Sequence, residues 1–162
     1  MILRKRAWDI MRTDFAKVDD QATLADVMKI MRESLKDTPE AHIVLVLSEM
    51  GNLRGVVSAF DVLKTAENIV VQDQSVLSDS EGTDWDAAFR RACGMCSGIE
   101  ITKVMNDKVP SVKPNDPLLL VLHALVEARH NWIVVEEGEK PIGIIVISDL
   151  YREITREMVA EM

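Results

Sequence analysis

Two stretches of the chain space a glycine and a carboxylate in the same way: GVVSAFDV, from Gly55, and GIIVISDL, from Gly143. In each, a glycine is followed by two apolar residues, three further positions and an aspartate, Asp61 in the first and Asp149 in the second. The first also has a hydroxyl, Ser58, where the second has Val146. An aspartate in the first turn of a helix is favoured by the positive end of the macrodipole, and its two oxygens can accept two hydrogen bonds at once. Vicinal hydroxyls offer two donors at a matching separation, and the free N–H groups of the same helix start suit phosphate oxygens. Ser and Asp are also common caps at any strand-to-helix turn, so the spacing admits a binding pair and a capping pair alike. Losing the hydroxyl at Val146 removes one hydrogen bond, worth roughly 0.5–1.5 kcal/mol, which weakens a site without abolishing it. The expectation is an asymmetric pair of sites, with Asp61 the stronger.

Other reactive residue types carry less. Cys93-Gly-Met-Cys96 is a CxxC late in an amphipathic helical pattern, whereas redox pairs of this spacing need a helix start to lower a thiol pKa. A four-thiolate zinc site would need a second CxxC, so these cysteines read as buried small apolar residues and no metal is expected. The acidic run SDSEGTDWD does not follow calcium-loop spacing, and Arg4-Lys5-Arg6 reads as a solvated basic cluster on an N-terminal helix. No glycine-rich phosphate loop, hydrolase triad order or HExxH occurs, so the expectation is a protein without catalysis.

The elements that position the aspartates come from an internal repeat. Offset by 94, residues 8–31 lie on 102–125, matching Met11 to Met105, Val18 to Val112 and Leu24 to Leu118. From His42 the offset becomes 88, pairing His42 with His130 and Asp61 with Asp149, and the difference falls in a loop at Leu35–Glu40. Each copy reads strand, helix, strand, turn, strand, helix. The helices are 22–35 and 116–129. The hairpins are 43–47 with 53–57 and 131–135 with 141–146, and a closing helix starts near Ser148. Half-units of this size do not bury their faces alone, so an α+β fold of two βαββα repeats packed with pseudo-twofold symmetry is expected. The division is 1–64 for the first repeat with its N-terminal helix, 65–98 for an acidic linker (extended over 68–84) and an amphipathic helix from Thr83, and 99–162 for the second repeat.

Net charge −8 argues against a general grip on nucleic acid, and no apolar run is long enough to span a bilayer. The N-terminus lacks an apolar signal core, and two cysteines fit a reducing compartment, so a cytoplasmic location is expected.

The two copies, each opening with a segment ending in IM or VM and closing on the glycine–aspartate motif, resemble a tandem pair of cystathionine-β-synthase (CBS) domains, a Bateman module. The resemblance covers the chain except for 65–98. It implies a regulatory module that binds AMP, ADP, ATP or S-adenosylmethionine between the repeats, each cleft completed by the other repeat. Asp61 and Ser58 would hold ribose or phosphate, with Val109, Pro110 and Ser111 and the segment His130, Asn131, Trp132 forming a slot for the base. Asp149 would combine with Ala16, Lys17, His42 and Ile43. Family members often carry His-Arg where this chain has His42-Ile43 and His130-Asn131, so the arginine is absent from both copies; His130 itself and Arg129, Lys17, Arg54 or Arg152 are the candidates to meet a phosphate. The resemblance also implies a homodimer, formed through apolar rows such as Ile10–Met11, Met28–Met31 or the 150–158 helix, and an unknown regulated protein. A ligand-free dimeric scaffold is the alternative.

Overall fold

The computed structural model describes residues 4–37, 42–72 and 84–162. The expected order of elements is present. After a short α1 (Ala7–Ile10) come β1 (Lys17–Asp19), α2 (Leu24–Asp37), β2 (Ile43–Leu47), β3 (Leu53–Ser58) and α3 (Ala59–Gln72). An inserted α4 (Trp85–Ser97) and a 3-10 turn (Ile101–Lys103) lead to β4 (Ser111–Val112), α5 (Leu118–Ala128), β5 (Trp132–Glu137), β6 (Lys140–Val146) and α6 (Ile147–Ala160). The fold is thus mixed α and β, with two three-stranded sheets ordered β1-β2-β3 and β4-β5-β6. In each, the first pair is parallel and the second antiparallel.

The strands read as continuous apolar runs because both their faces are buried. Val44, Val46 and Val57 pack with Leu24, Val27 and Met31 of α2, while Ile133, Val135 and Ile145 pack with Leu118, Val121 and Leu125 of α5. The alternate residues Ile43, Leu45, Val56, Trp132, Val134, Ile144 and Val146 meet in a central cluster between the sheets. Period-two alternation therefore divides each strand between its own helices and the opposite repeat.

That burial on both faces hides a slip in the expected repeat alignment. Val46 pairs with Gly55 and Val135 with Gly143, so β2 corresponds to β5 one residue later than the offset of the following strands. The hairpin turns, each with a glycine at positive φ (Gly51 at 81°, Gly138 at 68°), absorb the difference. His42 is consequently the counterpart of Asn131, not of His130: the Ala59 N–H donates to the His42 carbonyl (2.9 Å), and the Ile147 N–H to that of Asn131 (2.8 Å).

The opening segments cross over. Ala7 is buried in the second repeat's core, and its N–H donates to the Asp116 carbonyl at 2.9 Å. Ile101 is buried in the first repeat's core, and its N–H donates to the Ala22 carbonyl at 3.0 Å. Beyond these, Arg12 and Ile144 exchange main-chain hydrogen bonds (2.7 and 2.9 Å), as do Asn106 and Val56 (2.9 and 3.0 Å). This seam explains the motif glycines. A Cβ on Gly55 would lie 2.7 Å from the Met105 Sδ, and one on Gly143 would lie 2.7 Å from the Met11 Sδ. Met11 and Ile10, both partly buried, pack on the second core, and Met28 and Met31 on the first, so these rows contribute to the core.

Two further expectations change. Residues 68–72 finish α3 instead of opening an extended linker, because Ala66 and Ile69 pack on the first core near Cys96 of α4. The helix expected from Thr83 starts at Trp85, capped by Asp84, whose Oδ1 accepts the Ala87 N–H at 3.0 Å. The inferred loop residues 38–41, and 73–83 with most of SDSEGTDWD, lie outside the described residues.

Candidate functional site

β3 ends at Ser58 and α3 begins at the next residue, so the motif aspartate falls in the first helical turn. The Ser58 N–H and hydroxyl both donate to the Asp61 Oδ2 at 2.8 Å, and the Ser58 Oγ accepts the Asp61 N–H at 3.2 Å. This is a reciprocal capping box. It uses one carboxylate oxygen and leaves Oδ1 outside the box.

Beside it is a cavity of about 580 Å³, within the size range of small-molecule sites. From the first repeat it is lined by His42, Ile43, Ser58, Phe60 and Asp61; from the second by Asn106, Arg129, His130, Asn131, Trp132 and Ile147. Arg129 ends α5 in the left-handed conformation (φ 55°), uncommon for a residue other than glycine, and brings the chain into the cavity wall. The His130 ring stacks on the Trp132 indole with centroids 4.9 Å apart and planes 25° apart. The cavity thus gathers one carboxylate, one guanidinium, two imidazoles and flat apolar walls.

Ser58, Asp61, His130 and Trp132 come together as expected. Val109 instead packs against the central cluster, and the Pro110 carbonyl accepts the Val134 N–H at 3.1 Å, so neither lines this cavity. His42 belongs to the Asp61 cavity rather than to the cleft of Asp149. Asn106, Phe60 and Ile147 were not anticipated; Asn106 comes from the crossing segment, which sequence alone assigns to its own repeat.

The surroundings of Asp149 differ. Arg12 donates through Nε to Oδ2 at 2.7 Å and through Nη2 to Oδ1 at 3.2 Å, and the Arg152 Nη1 lies 3.5 Å from Oδ1. The Arg12 and Asp149 side chains are only 22% and 15% exposed, so the pair is shielded from water. Val146 is buried in the central cluster instead of facing a cleft. Ala16 lines a separate cavity beside Phe15 and α2, and the Lys17 ammonium lies 5.9 Å from the Phe15 ring centroid. Ala16 and His42 thus line two different cavities, apart from the Arg12–Asp149 pair. One signal for Arg12 was visible in the sequence: the alignment places it opposite neutral Asn106, directly after the matched methionines.

Arg54 pairs with Asp20 at 3.5 Å, and Lys5 bonds Glu153, which makes the basic cluster partly structural. Cys93 is exposed and Cys96 buried; burial, then the neighbouring Cys93, pushes the Cys96 thiol pKa up, against thiolate chemistry. Among the described residues, no group of three or more His, Cys, Asp or Glu is placed to hold a metal ion, and no helix is long and apolar enough to cross a membrane.

The CBS domain family model matches residues 7–68 and 101–156. The chain belongs to the CBS-domain family. Solved structures, CBS domains among them, share the fold at low identity. The CBS domain of a CBS-domain-containing membrane protein from Sphaerobacter thermophilus is 20% identical with a TM-score of 0.71, covering 93% of this chain and 88% of that one. The cytosolic domain of the Mg2+ channel MgtE, solved with ATP, is 18% identical with a TM-score of 0.66; the match covers 91% of this chain but 48% of that one. The CBS domain pair of protein MJ0100, solved with 5′-methylthioadenosine and S-adenosyl-L-methionine, is 14% identical with a TM-score of 0.65, covering 94% and 98%. Comparison with curated proteins finds no match.

Proposed function

We propose that this CBS pair is a regulatory module that binds an adenosine-containing ligand in the Asp61 cavity and passes its occupancy to a partner protein. The observation that carries the reading is the open carboxylate face of Asp61 in a ligand-sized cavity built by both repeats. The Asp61 Oδ1 suits a ribose hydroxyl, Arg129 is the cation that can meet a phosphate, and the Trp132–His130 stack supplies a flat wall for a base. The MgtE cytosolic domain, of the same fold, was solved with ATP, and the MJ0100 CBS domain pair with S-adenosyl-L-methionine and 5′-methylthioadenosine, which fits this ligand class. A single lining arginine favours a ligand of low phosphate count. The module is regulatory rather than catalytic, and a cytoplasmic setting suits both its ligands and its free thiols.

Transmission needs two states of different affinity. The ligand would touch the first turn of α3, and α3 packs along α4, with Ile69 on the core that includes Cys96, so a shift of α3 moves the insert helix. A second copy would dock on the outer faces of α3 and α6, where Phe60 (71%), Leu63 (68%) and Tyr151 (68%) stay exposed and where Phe60 and Ile147 share the cavity wall. Sedimentation of Phe60→Asp and Tyr151→Asp beside the wild type tests this surface: a homodimer built there dissociates in both variants.

A ligand-free dimeric scaffold is the second reading, favoured by the tied Asp149 and these exposed apolar faces. Calorimetric titration with AMP, ADP, ATP and S-adenosylmethionine separates the two. Saturable binding that Asp61→Ala removes and Asp149→Ala spares supports the sensor; no heat from folded, nucleotide-free protein supports the scaffold.

A further inference from the structure

The crossing segments deliver one side chain to each motif aspartate. Arg12 and Asn106 both follow a methionine seated on a motif glycine, and both bridge the opposite sheet through paired main-chain hydrogen bonds. With the backbones held alike, the side chains decide the outcome. Asn106 lines the open cavity beside Asp61, and its own Oδ1 accepts the Lys108 N–H at 3.0 Å. Arg12 instead reaches Asp149 and covers both carboxylate oxygens with parallel N–H donors at 2.7 and 3.2 Å.

We propose that Arg12 is a resident occupant of the second cleft, and that the residue at positions 12 and 106 decides which cleft is open. Its guanidinium fills the two acceptor positions on Asp149 that vicinal hydroxyls would need. A neutral diol cannot displace it, because charge-assisted, two-pronged bonds are stronger than those of a hydroxyl pair and the leaving cation would strand a shielded carboxylate. Val146 is a consequence rather than the cause: its side chain lies in the central cluster. Ser148, beside Asp149, keeps a buried hydroxyl without a hydrogen-bond partner, a polar group still to be satisfied next to the closed cleft. Each chain then takes up one ligand rather than two. The ligand class rests on the reading of the Asp61 cavity given above.

The test exchanges the two residues. Calorimetry with AMP, ADP, ATP and S-adenosylmethionine is run on the wild type, Arg12→Asn, Asn106→Arg and the double exchange. The expected result is one equivalent for the wild type, two for Arg12→Asn, none for Asn106→Arg, and one for the double exchange, which Asp149→Ala then removes. If the wild type binds none of the probes while Arg12→Asn binds one that Asp149→Ala abolishes, the Asp61 reading fails and the role of Arg12 stands. If Arg12→Asn takes up no more than the wild type, the proposal is overturned whatever the wild type binds. Circular dichroism checks each fold, and Arg12→Met, which keeps the apolar stem without donors, replaces Arg12→Asn if that variant is unfolded.

Discussion

Asp61 and Asp149 stand at the same place in the same unit, yet they spend their oxygens differently. Asp61 turns one oxygen back to cap its own helix through Ser58, whereas Asp149 gives both to Arg12, a residue from the far end of the chain. The first arrangement is local and leaves a face open to the cavity; the second is long-range and seals it. The repeat holds the backbone alike in both, and the exchange of Asn106 for Arg12 is what separates a cleft from a clasp. The aspartate alone is therefore a poor marker of a site; what reaches it from the other repeat decides.

The largest expected effect breaks the comparison at the central cluster. Trp132 is only 9% exposed and both walls the cavity and fills the core, so Trp132→Ala should lower stability by about 3–5 kcal/mol in urea unfolding. Next is the clasp: Arg12→Ala strands the Asp149 carboxylate and should cost about 1.5–3 kcal/mol, while Asn106→Ala, whose side chain makes one exposed bond, should stay within about 0.5 kcal/mol. Restoring the hydroxyl sharpens the contrast. Val146→Thr buries a hydroxyl in the central cluster and should cost about 1–3 kcal/mol without creating a ligand site, and Ser58→Ala should cost about 0.5–2 kcal/mol through loss of the cap.

The smallest effect is a matter of pH. The hydrogen bond from Lys5 holds the Glu153 carboxyl below its usual range, helped by the charges of Lys5, Arg156 and Arg152 and opposed by burial. A lowered folded pKa means that this contribution is complete above the unfolded value of 4.5 and is lost as pH falls through the lower folded value. Thermal unfolding of Lys5→Met beside the wild type should differ at neutral pH and converge only as pH falls well below 4.5.

The elements were legible because their signals are local. Leu24, Val27, Met28 and Met31 mark one helix face, and the β-branched runs around Gly51 and Gly138 mark hairpins. The relation of His42 to His130 was not, because strands buried on both faces carry no in-and-out alternation to fix their register. The end of α3 was misread because the polar sequence that follows it was extended back over Ile69-Val70-Val71, of which Ile69 packs on the first core. Arg12 and Asn106 escaped because their partners lie across the seam, 137 residues away for Arg12 and Asp149. No local pattern encodes that distance.

The exchange of opening segments also sets the order in which the chain can mature. During synthesis, the first sheet emerges with its β3 edge unpaired and its core short of Ile101, and must wait for residues 99–106 to arrive. The second repeat meets no such delay, since the α1 segment that completes it was made first and is already at hand. The half translated earliest is thus the half finished by its successor, and a ribosome stalled before residue 99 would hold a first repeat with an open edge.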